Sequence, residues 1–215
     1  MLTCSVILFD LDGVLVHSSA SVRRSWTAWA ATHGIEPADV LAASTGTRTA
    51  DTIRQVAPAL DAPTEAARLE AEQALDVGDV TAGRGALALI DALADHEWAV
   101  VTSGTEPLAR ARLKAAGLRV PDVLVTGEAV ANGKPDPDGY LFAARLLGQA
   151  PQDCLVVEDA ATGVEAAWRG GMQVVGVTNG DGAAHLAGVD LIAESCADIK
   201  IIRRQQGGEL QVSTR

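Results

Sequence analysis

From Gly83 onward, apolar runs of strand length alternate with segments whose apolar residues recur at helical spacing. Helical patterns over Gly85–Asp95, Glu106–Ala116, Pro137–Leu147 and Thr162–Arg169 are followed in turn by strand-like runs at Trp98–Thr102, Val123–Val125, Cys154–Val157 and Gln173–Val177. That rhythm predicts parallel strands joined by helical crossovers. Ser5–Phe9 reads as a further buried strand, Asp190–Ile192 as a weaker one, and Glu209–Val212 as a candidate edge strand. Hydrophobic residues make up 48% of the 215, enough for a substantial core, while aromatics make up 3%. An apolar mass built mostly from Ala, Val and Leu suits helices packed on a sheet better than a β-sandwich.

The stretch after Gly13 has a different character. Ser18–Thr32 carries helix-spaced apolar residues, among them Val22, Trp26 and Trp29, and further helices are expected at Pro37–Ala42, Thr49–Ala57 and Thr64–Val77. No strand is expected between residues 17 and 80, and Gly78–Gly85 reads as the return crossing. The expected fold is therefore α/β: a doubly wound parallel sheet from residues 1–15 and 82–215, with an all-helical domain, residues 16–81, inserted after the first strand.

In open parallel sheets, ligands bind beyond the carboxyl ends of the strands. The first strand ends in Asp10-Leu11-Asp12-Gly13, whose two acids share one side of an extended chain, and Gly13 permits a sharp turn. Another strand ends in Glu158-Asp159. Were these strands neighbours, four carboxyl groups would crowd one edge, an arrangement that needs a cation. An all-oxygen ligand set, with no His or Cys cluster beside it, points to magnesium over zinc. Thr102-Ser103-Gly104-Thr105 follows a strand and opens a helix, so its hydroxyls and free N–H groups suit an anion. Gly133-Lys134-Pro135 supplies a loop cation able to balance both phosphate and the acidic cluster.

Taken together, these segments resemble the four motifs of the haloacid dehalogenase superfamily of phosphatases: Asp10-Leu11-Asp12-Gly13, Ser103 in Val101-Thr102-Ser103-Gly104-Thr105, Lys134 in Gly133-Lys134-Pro135, and Glu158-Asp159. The stretch from Val101 through Arg110-Ala111-Arg112 to Pro135 is similar to bacterial sugar phosphatases of the 2-deoxyglucose-6-phosphate and hexitol phosphatase kind. The resemblance implies a Rossmann-like core with a helical cap and a magnesium-dependent phosphatase acting on a small sugar or polyol phosphate. It implies that Asp10 is the nucleophile, forming an aspartyl-phosphate, and that Asp12 is general acid and then base. Asp10, the Asp12 carbonyl, Asp159 and Glu158 would hold Mg2+, and Ser103, the Gly104 N–H and Lys134 would cradle the transferred oxygens. Thr45-Gly46-Thr47-Arg48 resembles the cap loop that faces substrate, so Thr47 and Arg48 are the expected specificity residues. His17 stands where relatives often carry Asp. The alternatives are a glycerol-phosphate phosphatase and a β-phosphoglucomutase. The mutase uses a cap histidine shortly after its first motif, and the corresponding residue here is Val22, which cannot move a proton.

The formal net charge of -11 disfavours nucleic acid and anionic membranes as partners. Cys4, Cys154 and Cys196 have no paired spacing, which reads as buried thiols in a reducing compartment. The N-terminus lacks a signal-peptide pattern and no apolar run is long enough to span a bilayer, so a cytoplasmic protein, monomeric by default, is expected. His33, His96 and His185 show no metal-ligand spacing, and Trp26, Trp29, Trp98 and Trp168 fit apolar faces.

Overall fold

The computed structural model describes residues 1–180, 182–203 and 209–215, excepting the side chains of His185 and Arg203. Its centre is a six-stranded parallel sheet of β2 (Val6–Phe9), β5 (Trp98–Val101), β6 (Leu124–Val125), β7 (Cys154–Glu158), β8 (Gln173–Val177) and β9 (Leu191–Ala193), ordered β6-β5-β2-β7-β8-β9. Strand β2 lies between β5 and β7, with Phe9 level with both Val100 and Val157. The chain builds outward from β2 in both directions, so the loops after β2, β5 and β7 meet where the order reverses.

Every residue of β2, β5 and β7 is buried, because helices cover both faces. Alternation along β2 divides the core. Ile7 and Phe9 join a cluster with Leu89 and Ile90 of α5 (Ala86–Asp91) and Leu113 of α6 (Glu106–Ala115). Val6 and Leu8 face the other side, with Tyr140 and Ala143 of α7 (Asp138–Leu146) and Val164 of α8 (Ala161–Arg169). Each large apolar side chain so buried contributes about 1.5–3 kcal/mol.

Four helices leave the sheet after β2: α1 (Ser19–His33), α2 (Pro37–Ser44), α3 (Thr49–Val56) and α4 (Ala62–Leu75). They form a cap with its own apolar centre, in which Trp26, Trp29, Val40, Ile53 and Leu69 are buried together. Two short strands, β3 (Val16–His17) and β4 (Thr81–Ala82), pair antiparallel where the chain enters and leaves the cap.

Several details depart from the sequence expectation. Leu2–Cys4 (β1) precedes β2, so the cap follows the first strand of the parallel sheet but not the first strand of the chain. β1 pairs antiparallel with β11 (Leu210–Thr214), which also pairs with β10 (Ile199–Arg203), so the expected edge strand near residue 210 belongs to a separate three-stranded sheet. Helix α5 stops at Asp91, short of the expected Asp95, and a 3-10 turn at Asp95–Glu97 leads into β5. Trp168 is 43% exposed and lies against Gly188 at the surface, whereas Trp26, Trp29 and Trp98 are buried. All three cysteines are free and buried, and burial pushes the Cys4 and Cys196 thiols up to about 12 and Cys154 up to about 11. No helix among the described residues is long and apolar enough to cross a membrane.

Candidate active site

The order of strands brings three distant loops to one point. Asp10 follows β2, Glu158 ends β7 and Asp159 follows it; one carboxylate oxygen from each lies within 4.8 Å of the others. Asp10 is 7% exposed and Glu158 fully buried. Gly13 has φ +88°, a left-handed conformation open to glycine, and the Asp159 carboxylate occupies the space a side chain would fill there. The loop after β2 can thus close down onto the acid that follows β7.

Glu158 is cradled on both oxygens. Oε2 accepts from the backbone N–H of Asp159 at 2.9 Å and of Ala160 at 3.0 Å. Oε1 accepts from Lys134 Nζ at 2.6 Å and from the Tyr140 hydroxyl at 2.8 Å. Lys134, 6% exposed, also donates to Asp10 Oδ1 and reaches the Val101 carbonyl at 3.3 Å, while its ammonium stands 5.1 Å from the Tyr140 ring centre. The expected counter-charge is therefore seated inside the acidic cluster. Burial works against the ammonium, but Asp10 and Glu158 outweigh it and hold Lys134 well above the ordinary lysine range.

The carboxyl groups respond in the opposite sense. Burial, reinforced by Glu158 and Asp12 and opposed by Lys134, pushes Asp10 up to about 8. Burial, with Glu158 and Asp10 nearby, holds Asp159 well above the carboxylate range. Among the described residues Lys134 bonds Asp10 and Glu158 and Arg112 bonds Asp12, so these four acids outnumber those two cations. An oxygen-only, predominantly acidic cluster fits a hard divalent cation. Among the described residues no histidine or cysteine joins it.

Asp12 sits beside the cluster, with both oxygens engaged. Oδ1 accepts from Ser18 Oγ at 2.5 Å, and Oδ2 from Arg112 at 2.7 Å. Next to β2, the loop after β5 presents Ser103 and Gly104. Ser103 Oγ donates to the cap carbonyl of Gly46 at 3.0 Å, and the Gly104 N–H donates to Thr102 Oγ1 at 3.2 Å.

A cleft of about 480 Å³ opens between cap and core over these groups, within the size range of small-molecule sites. Asp10, Asp12, Ser103, Gly104 and Asp159 line its core side. Val22, Trp26, Leu41, Thr45 and Thr47 line its cap side, with His17 and Arg23 also bordering it. Thr47 is where the sequence reading puts it, although its hydroxyl is already bonded to the Ala43 carbonyl at 2.9 Å and to Thr52 at 2.8 Å. Arg48 is elsewhere. It pairs with Asp51 at 2.6 Å and its other nitrogen reaches the carbonyls of Gly127, Val130 and Ala131 at 3.1–3.5 Å. It borders a smaller pocket behind the Ser103 loop, shared with Gly133 and Lys134. Arg48 thus straps the cap loop to the core loop after β6 instead of facing the cleft.

Sequence reading misses Tyr140, Arg112 and the cap residues that meet the core. Glu70 of α4 accepts from the Thr105 N–H at the start of α6 at 2.8 Å, and Gln73 accepts from Arg112 at 2.8 Å. The detectable signal is polar residues on buried helical stripes. Arg112 shares one with Leu108, Ala109 and Leu113 on α6, and Glu70 and Gln73 share one with Ala66 and Leu69 on α4.

Comparison with known proteins agrees with this geometry. Residues 4–171 match the haloacid dehalogenase-like hydrolase family. The chain is 43% identical over 209 residues to hexitol phosphatase A of Escherichia coli, covering 95% of this chain and 97% of that one. It is 32% identical over 232 residues to 2-deoxyglucose-6-phosphate phosphatase 1 of Saccharomyces cerevisiae, covering 96% and 94%. A crystal structure of a hydrolase from Pseudomonas syringae superposes with a TM-score of 0.77 at 28% identity, covering 90% of this chain and 94% of that one. A family match over most of the chain, a parallel sheet with an inserted helical cap, and acids gathered at its strand ends lead to one conclusion: the chain belongs to the haloacid dehalogenase-like hydrolases.

Proposed function

We propose that this protein is a magnesium-dependent phosphatase that hydrolyses a small sugar or polyol phosphate. The observation that carries the reading is the position of Asp10. Its carboxylate opens onto the cleft and is flanked by Lys134, Asp159 and the Ser103-Gly104 loop. The similarity to hexitol and 2-deoxyglucose-6-phosphate phosphatases supplies the substrate class.

Phosphate would enter with its oxygens toward Ser103 and the Gly104 N–H. The Ser103 hydroxyl would leave the Gly46 carbonyl for a phosphate oxygen, and Lys134 would offset charge from behind Asp10. Asp10 attacks phosphorus in line and becomes an aspartyl-phosphate as the ester oxygen departs. An alkoxide is a poor leaving group, so Asp12 protonates it, then takes a proton from the water that cleaves the acyl phosphate. Asp10, Asp159, Glu158 and the Asp12 carbonyl are the groups that would hold Mg2+. When bound, the ion shields the nucleophile from the phosphate charge and steadies the transferring oxygens. Residues 16–81 act as the lid over residues 1–15 and 82–215, excluding water during attack and selecting the leaving group. Thr47 contacts that group from the cap.

Val22 borders the cleft where a phosphosugar mutase carries its proton-transfer histidine, which favours water over a sugar hydroxyl as the second acceptor. The test is phosphate release from a panel of hexitol, hexose, pentose and glycerol phosphates, with magnesium and with EDTA. Turnover is expected with magnesium alone and is expected to disappear in Asp10→Asn. Hydrolysis that survives either chelation or that substitution would remove the proposal.

A further inference from the structure

We propose that Arg112 is the positioning residue of the Asp12 carboxyl, and that Gln73 of the cap braces it for that task. This rests on the reading of Asp12 as the acid that protonates the leaving group. Arg112 lies outside the four superfamily motifs, and it rises from the middle of α6, a helix otherwise occupied in covering the sheet. Its guanidinium is 4% exposed, and it borders the cleft beside Asp12 and Gln73. One terminal nitrogen donates to Asp12 Oδ2 at 2.7 Å and the other to Gln73 Oε1 at 2.8 Å, leaving the buried Nε without a hydrogen-bond partner among the described residues. A solvated arginine placed for stability alone would be free to satisfy all its donors. This one is stretched between the acid and the cap at the expense of one of them.

The geometry settles how Asp12 can present itself. A guanidinium only donates, so Oδ2 is an acceptor for as long as Arg112 touches it. Oδ1 faces the Ser18 hydroxyl, which can both donate and accept. Oδ1 is therefore the oxygen left able to present a proton, while Arg112 holds Oδ2. The brace comes from α4. Glu70 and Gln73 lie one turn apart on its buried stripe, and Glu70 fixes the same helix to the start of α6 through the Thr105 N–H. The cap thus holds Arg112 only while α4 is docked, which ties the orientation of Asp12 to cap placement.

The test uses leaving groups of different need. A sugar or polyol phosphate expels an alkoxide and requires the acid; p-nitrophenyl phosphate expels a stable phenolate and does not. Arg112→Ala is expected to lower kcat on the best alkyl phosphate by about 100-fold, the low end of what general acid catalysis supplies, and kcat on p-nitrophenyl phosphate by no more than about threefold. Arg112→Lys, which keeps a donor for Asp12, is expected to recover part of the difference, and Gln73→Met to show a smaller loss of the same kind. Equal losses on both substrates would make Arg112 merely structural and overturn the proposal. A rise in KM with kcat intact would make it a substrate-binding residue and overturn it too. If Arg112→Ala does not fold, the lysine and Gln73 variants are read by the same ratio, and an unchanged ratio in both is fatal. A wild-type enzyme inert toward every alkyl phosphate would instead overturn the phosphatase reading beneath it, and this inference with it.

Discussion

Gly163 is a position where an ordinarily stabilising substitution should do harm. It lies in the first turn of α8, and replacing a helical glycine by alanine normally gains about 1 kcal/mol. Here the added methyl would fall on the Glu158 carboxylate, overlapping its carbon and both oxygens. Glu158 is fully buried, and it accepts hydrogen bonds at 2.6, 2.8, 2.9 and 3.0 Å, so it has nowhere to retreat without breaking some of them. Losing two bonds to a charged group costs about 3–6 kcal/mol at roughly 1.5–3 each, leaving a net loss of about 2–5 kcal/mol after the helix gain. For a chain of 215 residues that is a fall in Tm of about 4–20 °C. The assay is thermal unfolding by circular dichroism of Gly163→Ala, Glu158→Ala and the double variant, forming a cycle with wild type. With Glu158 shortened the clash is gone, and Gly163→Ala should recover its stabilising sign. An unchanged or raised Tm in the single variant, or an equal penalty in both backgrounds, would refute the reasoning.

Two further outcomes follow from the site. In EDTA, the raised value of Asp10, about 8, means the folded state prefers the protonated acid, so its contribution to stability is full below about pH 4 and is lost as pH rises through 8. A bound divalent cation removes that penalty, so the gain in Tm on adding magnesium chloride should grow from pH 5 to pH 8; a gain that stays flat or shrinks contradicts the placement of the ion. Arg48→Ala should raise KM for all substrates by a similar factor, because its bonds tie cap loop to core loop without reaching the cleft. A change in preference among sugar phosphates would instead return Arg48 to the substrate.

What could be read from the sequence was whatever depends on strand order and strand ends. Once Ser5–Phe9 is a central strand, the residues after it, after Trp98–Val101 and after Cys154–Val157 must meet, and Asp10, Ser103 and Glu158-Asp159 do. The edges were less legible. Leu2–Cys4 and Ile199–Arg203 are strands only because Leu210–Thr214 lies between them, a pairing across most of the chain that no local pattern announces. The two cap residues part company for a related reason. Thr47 and Arg48 are adjacent in sequence, yet one borders the cleft and the other crosses to the Gly127 loop, because the loop turns between them. Tyr140, the only tyrosine in the sequence, is buried, and that its hydroxyl ends on Glu158 depends on how α7 lies against the sheet.

The sign of the whole molecule says little about the sign felt by a substrate. The chain's formal net charge is -11, and its surface charges are screened over roughly 8–10 Å at ordinary salt, whereas Asp10, Lys134 and Glu158 interact inside the protein over hydrogen-bond distances. What phosphate meets is set locally, by Lys134 behind the nucleophile, Arg112 on Asp12, and the donors of the Ser103 loop. Those cations are already committed to carboxylates. Lys134 is bonded to Asp10 and Glu158, and Arg112 to Asp12, so part of the charge each offers an incoming dianion is already balanced. A divalent cation held among Asp10, Glu158 and Asp159 would add positive charge where phosphate enters, and that is the electrostatic argument for the proposed metal dependence.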